Sequence, residues 1–419
     1  MDPIIVTFVV LGLAIICFVT EIIPLGATTI CVPIALYFTG VIDSTQMVAG
    51  IVDSTVLMFL FMFIVGGCFL KSGLAKTIGE QIAKVMKTET TLMLGFMLFT
   101  CTLSAFLSNT GTTVTVLPII IGTCEAKGYN PIKHILGVGF SAQVGGMLAL
   151  PGCPPNATVK SFLEGIGTGQ TFGFLEYAIV GAPVCVIMIV YYLTIGQKII
   201  PKNKELVKKA KMDPNAVYKA KDQIIVGIVF ILVVISMALE SVTGIPLFVS
   251  AMVGAVVLML FKVVGPEEAF EEYVDWNTIM VIAGMLPMGT ALQVSGAADL
   301  IANTAMNVIG DSTSPILYSL VIFIIGAFLT QFMSNSAATA LLSPIIISIA
   351  QGVGMDPKFA LMTLCMSASC SFLTPMATPV NTIVMGYTGF TFNDFLKTGI
   401  LPLLIIGVFM IFYIPFIWA

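Results

Sequence analysis

Ser108-Asn109-Thr110-Gly111-Thr112-Thr113, running on to Leu117-Pro118-Ile119, returns 226 residues later as Ser334-Asn335-Ser336-Ala337-Ala338-Thr339, running on to Ser343-Pro344-Ile345. Each copy is a small polar cluster inside a long apolar run. Polar groups taken away from water cost free energy unless they find partners. Two matched clusters in such sequence therefore point to something polar held between them.

The surrounding chain is membrane-grade. It is 58% hydrophobic and 10% charged, with a mean hydropathy of +1.06; a soluble domain carries about 25% charged residues. The composition predicts an all-α polytopic membrane protein with little mass outside the bilayer. All 18 basic residues are Lys. Without Arg, no planar fork is on hand for a carboxylate or sulfate, so an anion must be held by backbone N–H groups, hydroxyls, amides, Lys or a co-bound cation. The nine Cys show no CxxC spacing and read as free buried thiols. His134, the only histidine, reads as an interfacial residue, and no zinc ligand set is visible. The first apolar run, 4–23, follows Asp2, has no Lys before it and no small-residue cleavage site after it, so it reads as a retained transmembrane helix.

Segments near 4–23, 25–42, 54–70, 177–197, 223–241, 246–263, 277–294 and 398–418 are apolar enough to span, though several are short for a ~30 Å core. Regions 133–165 and 358–391 could cross but are broken by prolines. The repeated motif divides 91–125 and 315–351 into arms of roughly 15 to 19 residues, about 22–28 Å long and short of a full crossing. Each pair of arms predicts a re-entrant helical hairpin with its polar tip inside the membrane. Residues 71–88, with Leu74, Ile78, Ile82 and Val85 among Lys and Glu, predict an amphipathic interfacial helix, and 295–310 its outer counterpart.

Lysine placement orients the chain. With both termini outside, 16 of 18 lysines fall in inside segments, and only Lys160 and Lys358 do not. The expected organisation is two inverted-topology repeats, 1–200 and 222–419, each of five transmembrane helices and one re-entrant hairpin, with broken helices near the midplane. A Lys-rich cytoplasmic connector, 201–221, joins them. Lys71-Ser72-Gly73-Leu74-Ala75 parallels Val294-Ser295-Gly296-Ala297-Ala298, and Ser141 to Asn156 parallels Ser367 to Asn381.

The polar constellation has two halves. One is Ser104, Ser108, Asn109 and Thr110 with the break Gly152-Cys153-Pro154-Pro155-Asn156; the other is Thr330, Ser334, Asn335 and Ser336 with Ala377-Thr378-Pro379-Val380-Asn381. Their carbonyls, hydroxyls and amide oxygens are hard ligands suited to Na⁺. Half-helices starting after each tip would add positive dipole ends. Any single Ser or Thr could equally be glue between helices; two clusters in register are harder to read that way. The regions 91–124, 135–159, 315–355 and 359–393 hold no Asp, Glu or Lys, which argues against proton relays and intramembrane proteases. No nucleophile–base pair suggests an enzyme.

At Ala368-Ser369, Phe372, Pro375-Met376-Ala377, Asn381, Ile383 and Val384, and at the paired tips and breaks, the chain resembles the divalent anion/sodium symporter family over essentially its whole length. The resemblance implies an elevator-type symporter, a homodimer in a prokaryotic plasma membrane, that moves a C4-dicarboxylate such as succinate with at least two Na⁺. One Na⁺ would be held by Ser104, Ser108, Asn109 and Gly152, the other by Thr330, Met333, Asn335 and Ala377. Asn109, Thr110, Asn335, Ser336, Thr378 and Pro379 would touch the substrate. The scaffold would be 1–70 and 222–294, and the moving core the hairpins and broken helices. The expected partners are the bilayer and a small dianion, with no nucleic acid. Ser336 and Cys153 replace the family's usual Thr, so a different preferred anion is open. A Na⁺-independent exchanger, a sulfate or citrate symporter, and a channel remain alternatives.

Overall fold

The computed structural model describes residues 2–20, 22–201, 206–207, 219–309 and 314–419, and among these no strand forms. The Lys-rich connector lies largely outside the described residues. The first half opens with α1 (Pro3–Thr20), α2 (Leu25–Phe38) and α3 (Ser54–Lys71), followed by α4 (Leu74–Val85). The first hairpin is α5 (Glu89–Ser104) and α6 (Asn109–Lys127), and the first broken helix is α7 (Pro131–Gly145) and α8 (Pro154–Gly165). After α9 (Ala178–Tyr191) the second half runs α10 (Ala220–Ala238), α11 (Leu247–Leu260), α12 (Trp276–Ser295) and α13 (Ala297–Ile309). Then come α14 (Pro315–Leu329), α15 (Asn335–Gly352), α16 (Pro357–Ala368), α17 (Pro379–Thr388) and α18 (Phe392–Trp418).

Six of the segments read as spanning become helices of at least 18 residues, among them α1, α3, α12 and the helix that opens as α9 and runs on past Tyr191 to Ile199. The other two are shorter. Both α2 and α11 have 14 residues, about 21 Å of rise. The runs 25–42 and 246–263 overestimate them because the chain turns left-handed at Gly40 (φ 75°) and at Lys262 (φ 56°). The parallel Ser-Gly steps have the same physical cause. Gly73 (φ 78°) and Gly296 (φ 81°) both sit in the left-handed region, which only glycine adopts without cost. Each turns the chain from a spanning helix into the following shorter helix. On α4, Ala75 and Gly79 are buried and Ile78 and Ile82 half-buried, while Val85 is exposed.

Packing sorts the helices into two groups. Helices α1 to α3 pack with α10 to α12, chiefly α3 on α11 and α2 on α12. The hairpins and broken helices pack together, α5 on α7 and α14 on α16, with α9 and α18 alongside. Ends cross between halves: α8 packs on α15, and α17 on α6. The groups meet where α12 touches α8 and α15, and α3 touches α8. Exposed apolar residues form stripes at helical spacing, as with Leu404, Val408, Phe412 and Phe416 on α18. A water-facing helix would carry polar residues there, so these stripes face lipid and the chain is an integral membrane protein.

The two lysines outside the inside segments are both paired. Lys160 is buried, with Nζ 2.7 Å from Glu164 Oε1 and donating to Thr171 and the Phe172 carbonyl. Lys358 Nζ lies 2.7 Å from Glu176 Oε1 and over the Phe172 ring. His134 differs from expectation. It is fully buried in the first turn of α7, its Nδ1 3.1 Å from the Asn130 carbonyl, because Tyr192 and neighbouring helices cover that end. Seven of the nine free cysteines are buried.

Candidate functional site

Each hairpin tip is built by a serine cap. Ser108 Oγ accepts the Gly111 N–H at 3.1 Å and Ser334 Oγ accepts the Ala337 N–H at 3.2 Å. Such caps satisfy a free donor at a helix start, so α6 begins at Asn109 and α15 at Asn335. Both serine hydroxyls are thereby engaged with their own helices. Behind each tip the asparagine turns toward the end of the preceding arm. Thr330 Oγ1 donates to Asn335 Oδ1 at 2.6 Å and lies 2.7 Å from the Ala368 carbonyl. In the first half, Ser104 Oγ donates to the Ala142 carbonyl at 2.7 Å. Asn109 there faces Ser104 Oγ (2.6 Å), the Ala142 carbonyl (3.0 Å) and the Gly152 carbonyl (3.2 Å), so its amide presents Nδ2.

The breaks are secured the same way in both halves. Asn156 Nδ2 donates to the carbonyls of Gly146 (3.0 Å) and Ala149 (2.8 Å), and Asn381 Nδ2 to those of Ser371 and Thr374, both at 2.8 Å. These are carbonyls freed where the helix stops, and buried backbone groups need such partners. Helices α8 and α17 then start at Pro154 and Pro379, where proline's missing N–H costs nothing. Thr378 precedes α17 without capping it, which leaves its hydroxyl for the space in front.

That space is a cavity of about 270 Å³ lined by Ser108, Asn109 and Thr110, by Ser334, Asn335 and Ser336, and by the breaks at Pro151–Pro154 and Ala377–Pro379. The N-termini of α6, α8, α15 and α17 therefore border one cavity. Each helix start presents free N–H groups and partial positive charge, so the four together favour an anion although no Lys lines the space. Met333 is not among the lining residues; it is buried in the turn between α14 and α15. The oxygens behind the tips are all hard donors, a chemistry that fits Na⁺.

The wall facing the tips was not legible in the sequence. It consists of Phe59 and Phe63 of α3, Leu25, and Asp275, Asn277, Thr278 and Val281 at the start of α12. Asp275 caps α12 through Thr278, a signal an Asp-x-x-Thr reading could have found. The phenylalanines carry no signal within an apolar span. Cys153 lines the cavity, but its thiol turns away to Asn156 Oδ1, 3.2 Å away, where the Cys365 thiol also donates at 3.0 Å. A second cavity, about 290 Å³, lies between the N-cap of α3, α8, α12 and α15. It is lined by two carboxylates, Asp53 and Glu164, against the single Asp275 of the first, whose oxygens are both engaged by Thr278, so a dianion is less favoured there.

The sequence matches the model of the citrate transporter family over residues 15–359 and 237–419. An uncharacterised transporter of Methanocaldococcus jannaschii is 28% identical, the match covering 94% of this chain and 90% of the relative. An uncharacterised transporter of Haemophilus influenzae is 27% identical, over 93% and 88%. The sodium-dependent dicarboxylate transporter SdcS of Staphylococcus saprophyticus is 24% identical, over 95% and 83%. Among solved structures, the YdaH transporter of Alcanivorax borkumensis, described as having an unusual topology, superposes with a TM-score of 0.70 at 13% identity, over 100% of this chain and 99% of that one. At that identity the likeness concerns the fold.

Proposed function

We propose, from the premise that the chain belongs to the citrate transporter family, that it is a secondary transporter coupling a small dicarboxylate, such as succinate, to Na⁺. Members of this family are transporters, not enzymes. The observation that carries the reading is the convergence of four helix N-termini, with two oxygen clusters behind them, on one cavity without a cationic side chain. Helix ends and hydroxyls such as Thr110, Ser336 and Thr378 suit the carboxylates of the anion; Na⁺ in the clusters would neutralise its charge. Similarity to the sodium-dependent SdcS transporters supports both halves of that pairing.

The two packing groups support an elevator-type mechanism, in which the hairpins and broken helices move as one core against α1 to α3 and α10 to α12. Hydrogen bonds recurring at offsets of 225 and 226 residues support two structurally repeated halves, inverted as the lysines suggest. In this reading both termini face outward, at least two Na⁺ accompany each anion, and the working unit is a homodimer.

The test is uptake of labelled succinate, citrate and sulfate into proteoliposomes, with an inward Na⁺ gradient or with choline. Uptake of a dicarboxylate that requires Na⁺ is expected. Uptake indifferent to Na⁺ and driven by internal dicarboxylate overturns symport in favour of exchange.

A further inference from the structure

The two oxygen clusters are built alike but are not held alike. Asn381 Nδ2 is committed to two carbonyls, so Asn381 must present Oδ1 to its other neighbour, Gln143. Carbonyls only accept, and this fixes every direction that follows. Gln143 Nε2 donates to Asn381 Oδ1 at 2.8 Å, which turns Gln143 Oε1 to Ser371. The single hydroxyl proton of Ser371 goes to that Oε1 at 3.1 Å. Its lone pairs are then left for Asn335 Nδ2, at 3.2 Å. Asn335 is thus locked with Oδ1 toward Thr330. Gln143, Ser371 and Asn381 are all buried, 1% exposed or less.

The first half has no such chain. Gly146 occupies the place of Ser371, both receiving the amide of the asparagine ten residues on, and it has no hydroxyl. Ser369, 226 residues after Gln143, donates instead to the Cys365 carbonyl. Nothing opposes Asn109 turning Nδ2 to Ser104 Oγ and the Ala142 and Gly152 carbonyls. A cation among those oxygens needs the amide turned over.

We infer that Gln143 and Ser371 are positioning residues that make the Thr330–Asn335 cluster the preorganised cation site, which fills before the Ser104–Asn109 cluster. This rests on reading both clusters as Na⁺ sites. Preorganised donors bind without the cost of reorientation, and a fixed buried hydrogen bond is worth about a tenfold change in affinity.

The test is Na⁺-dependent thermal stabilisation of the purified protein without substrate, with choline holding ionic strength constant. The readout is the Na⁺ concentration at half-maximal stabilisation, which a general loss of fold stability does not move. Thr330→Ala, Ser371→Ala and Gln143→Met are each expected to raise it about tenfold, and Ser104→Ala to leave the low-Na⁺ phase in place. Ser371→Ala serves if Gln143→Met fails to fold. Adding Ser371→Ala to Asn335→Ala is expected to change nothing further, since Ser371 acts through the Asn335 amide. A shift for Ser104→Ala as large as for Thr330→Ala, or none for Ser371→Ala, overturns the inference and leaves Na⁺ coupling standing. A wild type that Na⁺ does not stabilise over choline overturns both.

Discussion

Ser161 Oγ donates to Asp53 Oδ1 at 2.8 Å, tying α8, the second arm of a broken helix, to the start of α3. The same carboxylate caps α3 by accepting the N–H groups of Thr55 and Val56. Asp53→Ala therefore removes a cap and a tie together, and about 1–2 kcal/mol of stability is expected to go with the cap alone. Asp53→Asn keeps an acceptor oxygen and should cost less. Burial holds this carboxyl above its ordinary value of 3.8. A raised carboxyl favours the fold in its protonated form, fully below the unfolded value, and that contribution is lost as pH rises through the folded one. Melting curves of wild type and Asp53→Asn from pH 3.5 upward should show wild type losing ground to the variant as pH rises. The reverse trend would exclude the burial argument.

Asn156 and Asn381 are expected to be structural. Asn381→Ala strands two buried carbonyls, at about 1–3 kcal/mol each, and Asn156→Ala does the same. Asn109→Ala, at the tip, should change melting far less and transport far more. Thermal melts beside uptake rates separate the two classes.

Thr378 has no capping task, so Thr378→Val should leave the melting temperature nearly unchanged. Its KM for the anion should rise about tenfold through loss of one hydrogen bond. An unchanged KM would remove Thr378 from the site.

Gly152 is fixed by space. A Cβ there would lie 2.5 Å from the Gly146 carbonyl oxygen and 2.9 Å from that of Ala105. Gly152→Ala must push backbone aside and is expected to abolish Na⁺ stabilisation at the first cluster. At the matching place in the second half the chain already carries Ala377, so Ala377→Gly should be tolerated, which Na⁺ titrations can compare.

The hairpins, the broken helices and the tip residues were legible because Ser, Thr, Asn and Pro stand out inside apolar runs. Repetition made them legible twice. The helix ends at Gly40 and Lys262 were not, since hydropathy runs on past a left-handed turn. Gln143 was visible as a polar residue in an apolar helix, but its partner lies 238 residues away, beyond any local pattern. Cys153 was legible as a departure from a motif; that its thiol faces Asn156 rather than the cavity depends on a backbone angle no composition encodes. The wall from α3 and α12 depends on tertiary packing alone.

The most direct measurement is dual-label flux in proteoliposomes, ²²Na⁺ and ¹⁴C-succinate followed together under an inward Na⁺ gradient. If two oxygen clusters and four helix ends hold Na⁺ and dianion as one load, at least two Na⁺ enter with each succinate, and Asn335→Ala lowers both fluxes together. Succinate entering with no accompanying ²²Na⁺ would contradict the account.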